Sequence, residues 1–185
     1  QNDVEKSNFY LNLSNYLNPK FTLNSSLVAE NFYLNGEYEK TNKVLKKFDT
    51  KYEFYYWFRI KKEAQIIIKK QGYEEGIEFI SSKFNKIINP NVRIVFDVAN
   101  FYKNSKKYEK AIKYYSQIIS SLSVDSRIKS DLLYRRGGSY ERLGNYQKAD
   151  EDLKNSLKID PDDAYVLNYL AYSWLERDYK IDEAM

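Results

Sequence analysis

Any catalysis by this chain would have to rest on carboxylates, lysine, serine or tyrosine, because its 185 residues include no histidine and no cysteine. Those two zeros exclude disulfides, thiol nucleophiles, Cys/His zinc sites and every mechanism that needs an imidazole near neutral pH. The densest acidic cluster is Asp160, Asp162 and Asp163. It lacks the glycine and the distal glutamate of an EF-hand loop, and Asp162 or Asp163 more simply caps the helix that follows. Arg135-Arg136-Gly137-Gly138-Ser139 reads in isolation as a nucleic-acid-binding tract, but it has no second copy and falls inside a helical pattern. No glycine pattern of a phosphate loop or dinucleotide site is present. Tyr52, Phe54, Tyr55, Tyr56, Trp57 and Phe58 form the densest aromatic run. Such a run is expected to be core, with an exposed stacking platform as the alternative. These residues assign no catalytic, metal or cofactor site.

The elements that carry such residues follow from composition and spacing. Charged residues are 30% and hydrophobic types 43%, a globular balance. Only three prolines and six glycines punctuate the chain, which favours long helices over a turn-rich sheet. No apolar stretch approaches the roughly 18 residues needed to span a bilayer. Abundant Lys, Asn and Ile, with 19 tyrosines, match the skew that AT-rich codons produce. Charge is uneven: residues 1–129 hold 22 Lys/Arg against 14 Asp/Glu, and residues 130–185 hold 8 against 12. A basic end can favour an anionic partner or head-to-tail contact between chains, although Lys-rich helical faces are more often simply solvated.

A repeat organises the sequence. From Ser130 it runs Leu133, Arg136-Gly137, Tyr140, Gly144-Asn145-Tyr146, Ala149, Leu153 and Asp160-Pro161. The skeleton recurs upstream, so a small residue falls at Ala29, Ala64, Ala99, Gly137 and Ala171, at intervals of 35, 35, 38 and 34. This pattern resembles the tetratricopeptide repeat, a 34-residue pair of helices whose first helix (A) carries a small residue where the second (B) packs. The implied fold is all-α, a right-handed superhelical solenoid of antiparallel helix pairs over one domain, residues 1–185. A partial repeat (1–21) precedes repeats at about 22–56, 57–91, 92–129 and 130–163, and a second partial repeat (164–185) follows. The expected helices are 3–17, 22–34, 38–48, 54–70, 73–88, 91–104, 108–122, 127–143, 147–158 and 163–177, with another starting at Ile181. Asn18-Pro19 is expected to end the first helix, and the 38-residue interval puts four extra residues near Ser121–Ser126. Leu167–Trp174 with Ile181–Ala184 looks like a segment of long bacterial proteins of this family. A trimmed segment of a larger parent, cytoplasmic or exported, is therefore the expectation.

The resemblance also implies a site. In this family the A helices line a concave groove. Carried onto matching positions, that groove holds Lys61, Gln65, Arg93, Phe96, Asn100, Lys103, Tyr134, Ser139, Arg142, Tyr165, Asn168 and Tyr172, with Arg135 and Tyr169 at the adjacent position. Arg, Asn and Tyr there suit a peptide, since amides bond its backbone, aromatics pack its apolar side chains and Arg forks a carboxylate. The clamp that some relatives use for a C-terminal carboxylate is disfavoured, because Asp97 and Asp131 fall at clamp positions and would repel it. The expected function is a non-catalytic scaffold that binds a peptide or protein in this groove. Self-association through the repeat ends is the first alternative and an RNA-binding helical repeat the second. Nucleic acid is disfavoured by the lack of a regular two-residue base code.

Overall fold

A computed structural model describes residues 2–18, 22–121 and 127–184. Every regular element among them is a helix: α1 (Asn2–Leu17), α2 (Thr22–Leu34), α3 (Tyr38–Leu45), α4 (Glu53–Lys70), α5 (Tyr73–Phe84), α6 (Val92–Asn104), α7 (Tyr108–Ser121), α8 (Arg127–Arg142), α9 (Tyr146–Ile159), α10 (Ala164–Leu175) and α11 (Ile181–Ala184). Pro19, most of the Ser-rich insertion (122–126) and Met185 lie outside the described residues. Two helices stop three or more residues earlier than the periodicity predicts. Helix α3 ends at Leu45 because the chain then turns Phe48 into the core, where it is 6% exposed. Helix α5 ends at Phe84, with Asn89 in a left-handed conformation (φ 54°) immediately before Pro90.

The chain forms two compact units, residues 1–83 and 84–185. In the first, Ala29, Leu45 and Phe48 are buried, with Val44, Tyr55 and Phe58 packed against them. Helices α4 and α5 meet at glycine: a Cβ on Gly76 would sit 2.2 Å from Ile68 Cγ1. The aromatic run divides along this surface. Trp57 is 4% exposed and Tyr55 stacks on Phe48 at 5.4 Å, whereas Tyr52 and Phe54 remain 63% and 47% exposed. Lys62 on α4 is buried, ion-paired with Glu30 at 2.5 Å and stacked over the Tyr33 ring at 4.4 Å. Burial holds its ammonium below the ordinary lysine range, partly offset by the Glu30 hydrogen bond.

In the second unit α6–α7 and α8–α9 are antiparallel hairpins, with α7 packed on α8 and α9 on α10. Ala99 is fully buried, and Gly137 lets α9 approach so closely that an added Cβ would lie 3.1 Å from Leu153 Cγ and 3.2 Å from the Ala149 carbonyl. Leu153, Val166, Leu170 and Trp174 form one core cluster, flanked by Tyr134, Leu157 and Tyr169. Arg136 stands where the repeat pattern has leucine. Its guanidinium forks onto Asp152 with two 2.7 Å bonds and donates to Ser116 Oγ, so the burial of this charge is compensated. Asn91, Asn145 and Asp163 cap α6, α9 and α10, their side chains accepting backbone N–H groups.

One turn closes four of the A helices. Seven residues after the small residue, Gly36, Lys106, Gly144 and Asp178 all have positive φ, at 76°, 60°, 72° and 49°. In each, the following N–H bonds a carbonyl five residues back: Glu37 to Phe32, Lys107 to Tyr102, Asn145 to Tyr140 and Tyr179 to Trp174. This is the left-handed helix stop of the Schellman type. Glycine occupies it without strain at two sites, and Lys106 and Asp178 adopt it at a cost.

Candidate partner-binding face

Helices α6, α8 and α10 are the A helices of the second unit, and twelve of the fourteen residues expected in the groove lie on them. The buried part of this face is a polar chain. The Tyr115 hydroxyl, from the fully buried ring on α7, donates to Asn100 Oδ1 at 2.7 Å. Arg135 Nη1 donates to the same oxygen at 3.3 Å, while Arg135 Nε bonds Asp131 at 2.8 Å. The guanidinium also lies 5.2 Å from the centre of the Phe96 ring. Burial works against the charge of Arg135, but the Asp131 carboxylate outweighs it and holds the guanidinium more firmly protonated than usual. Asp131, expected to repel a carboxylate ligand, is thus neutralised by its own helix. Burial pushes the Tyr115 phenol far above its ordinary value, so it stays a donor.

Further along, α6, α7, α8 and α10 line an open cavity of about 180 Å³. Helix α6 supplies Lys103 and Asn104, α7 supplies Tyr108, α8 supplies Tyr134, Gly138 and Arg142, and α10 supplies Tyr169. The Tyr134 and Tyr169 rings meet edge to face at 5.7 Å, and the Tyr169 hydroxyl donates to Glu141 Oε2 at 3.0 Å. Glu141 also pairs with Arg142 at 3.4 Å and keeps that guanidinium protonated. Burial and the neighbouring Arg135 charge hold Lys103 below the ordinary lysine range. Gly138 leaves the space that Tyr169 approaches, since an added Cβ would be 3.4 Å from its hydroxyl.

The structure therefore brings Lys103, Tyr134, Arg142 and Tyr169 together around one cavity. It joins Phe96, Asn100 and Arg135 in the network beside them. Arg93, Tyr165, Asn168 and Tyr172 are exposed on the same helices, Tyr165 at 81% and Tyr172 at 59%. Ser139 is fully buried, and its hydroxyl donates to the Arg135 carbonyl at 2.8 Å. Lys61 and Gln65 belong to the first unit, one turn apart on α4. Both are half-buried, and Gln65 Oε1 has no hydrogen-bond partner among the described residues. Asn104, Tyr108 and Gly138 were missed. Tyr108 opens a B helix, outside a scheme built on A-helix positions; its place just after the turn was the available signal.

The acidic cluster has a structural account. Asp163 caps α10 through Tyr165 and Val166 N–H, and Asp160 lies 3.8 Å from Arg127. No group of three or more Asp or Glu among the described residues could hold a metal ion. Arg135–Ser139 is interior to α8. No helix among the described residues is long and apolar enough to cross a membrane.

Paired helices closed by one repeated turn, with a small residue at each crossing, define a helical-repeat protein. The chain carries tetratricopeptide repeats: residues 92–121 and 130–163 each match a tetratricopeptide repeat model. A TPR repeat-containing protein of Methanocaldococcus jannaschii is 40% identical over 80 residues, covering 43% of this chain and 13% of the relative. A 58 kDa phosphoprotein of Plasmodium berghei is 31% identical over 108 residues, covering 57% of this chain and 24% of the relative. The chain thus spans a quarter or less of these two curated relatives. Among solved structures, MamA of strain AMB-1 superposes with a TM-score of 0.62 at 16% identity, covering 86% of this chain and 90% of that one. The Cut9-Hcn1 hetero-tetramer of the APC/C superposes with a TM-score of 0.64 at 15% identity, covering 96% of this chain and 34% of its own. At such identities the likeness shows the fold, an all-α solenoid of tetratricopeptide type.

Proposed function

We propose that this chain is a non-catalytic protein-interaction scaffold whose second unit binds an extended segment of a partner protein across α6, α8 and α10. The observation that carries the reading is the cavity to which these three successive A helices contribute Lys103, Tyr134, Arg142 and Tyr169. Its surroundings have peptide-recognition chemistry. Asn100 Oδ1 is committed to Tyr115 and Arg135, which leaves the amide nitrogen as a donor for a peptide carbonyl. Tyr165 and Tyr172 offer exposed aromatic surface with little side-chain entropy to lose. Lys61 and Gln65, on the first unit, are not needed by this reading.

The test is the double variant Arg142→Glu with Tyr172→Ala, in a pull-down of partners from the source cell followed by affinity measurement on those recovered. Helicity by circular dichroism should persist while affinity falls at least tenfold, about 1.4 kcal/mol. Unchanged affinity would remove this face from the site.

Self-association is a second reading, favoured by apolar side chains on the last helices. Leu167, Leu175 and Ile181 are 47%, 42% and 43% exposed. It predicts a mass by light scattering that rises with concentration and reverts to monomer in Leu167→Glu with Ile181→Glu. A constant monomer mass at high concentration would eliminate it.

A further inference from the structure

We propose that the cavity between α6, α7, α8 and α10 is a receptor for a single carboxylate side chain, an aspartate or glutamate carried by the partner segment. The proposal rests on the peptide-binding reading and adds to it the chemistry of one residue of the ligand.

Charge accounting leads to it. On this face Arg135 is paired with Asp131 and Arg142 with Glu141, and elsewhere in the second unit Arg136 is paired with Asp152 and Arg177 with Asp150. Lys103 alone among the cations lining the cavity has no hydrogen-bonded or ion-paired partner among the described residues. It is half-buried, and burial together with repulsion from Arg135 and Arg142 outweighs the attraction of the Asp131 carboxylate. Lys103 shares the lining of the cavity with Tyr108, Tyr134 and Tyr169. An anion placed beside it recovers Coulomb energy in a setting where screening is weak.

Size and charge narrow the ligand. About 180 Å³ is too small for a nucleotide or an organic cofactor, which need roughly 300 Å³ or more, but it admits the end of an acidic side chain. Arg142 is already partly balanced by Glu141, so the surplus is one positive charge, that of Lys103. A monoanion matches it. A phosphate near −2 would bring an unmatched charge close to the Glu141 carboxylate. Asn104 and Tyr108 add neutral donors to the lining. The site differs from the C-terminal carboxylate clamp considered above: Lys103 and Arg142 lie outside its positions, and the arginine within them, Arg135, is committed to Asp131 and Asn100.

The test uses the whole 185-residue chain and a phage-displayed library of random dodecapeptides. The tightest binder is synthesised with each acidic residue in turn changed to its amide, and affinities are read by fluorescence anisotropy. One such change should weaken binding about tenfold on the unmodified protein, the scale of a charge-assisted hydrogen bond. The same change should cost less than about twofold on Lys103→Gln, with Lys103→Arg behaving like the parent. Selected peptides without acidic residues, an equal loss on both proteins, or tighter binding of the phosphoserine version would each overturn the carboxylate pocket. Absence of any such loss on the parent protein overturns the pocket even where Lys103→Gln folds poorly. Binders insensitive to Tyr165→Ala with Tyr172→Ala, or no binder at all, would sink the groove reading itself and the pocket with it.

Discussion

Two adjacent glycines on α8 do opposite things. Gly137 abuts the α9 backbone, so Gly137→Val forces a side chain against the Ala149 carbonyl and Leu153. It should destabilise by about 1–3 kcal/mol, read from urea midpoints at constant m-value. Gly138 has an ordinary van der Waals neighbour at 3.4 Å, so Gly138→Ala gains helix propensity and should stabilise by about 0.5–1 kcal/mol. Equal effects at both sites would contradict the packing described. Position in the repeat made Gly137 legible in the sequence as a crossing residue, because helix approach needs a small side chain at a fixed register. Ser139 was not legible. Its burial depends on a hydroxyl folding back onto its own helix, which spacing alone does not encode. The pairing of Asp131 with Arg135 was equally hidden. Read as separate positions they were a repulsion and an attraction; four residues apart on one helix they cancel.

At the scale of elements, the helix order and most helix ends were legible, since apolar periodicity, small residues and turn glycines all point to the same hairpins. What the sequence concealed was that the stop after α6 uses the same left-handed geometry as the glycine turns, because Lys106 occupies it. Lys106→Gly should therefore stabilise the α6–α7 hairpin by up to about 1 kcal/mol, despite adding a flexible residue to the unfolded chain. A thermal midpoint that falls would mean that Lys106 makes an interaction offsetting its strain. The early end of α5 was likewise hidden: Ile87 and Ile88 continue the apolar pattern, whereas Asn89-Pro90 enforces a turn.

For the molecule as a whole, stability should depend on pH most visibly on the alkaline side. Lys62 and Lys103 are both held below the ordinary 10.5 by burial. The folded state sheds these protons before the unfolded chain does, so unfolding free energy rises with pH from their folded values up to 10.5. Tyr33, Tyr114, Tyr115 and Tyr169 have raised values, so their contribution is complete below 10.0 and is lost above it. Stability should therefore climb toward pH 10 and then fall, and Lys62→Met should flatten the rising limb. An identical limb in that variant would exonerate the Lys62 environment. Fold class was readable from repeat spacing because each hairpin obeys the same local rules. The cavity was readable only as scattered positions, because its shape depends on how side chains from four helices meet.

The Tyr115–Asn100–Arg135–Asp131 chain has one more consequence. Side chains tied to a buried ring and to one another are already frozen before anything docks, so little rotamer freedom is left to lose on complex formation. Association should then resemble two rigid bodies meeting. Variation in the partner's contact residues would act chiefly on residence time, while the encounter rate stays nearly constant.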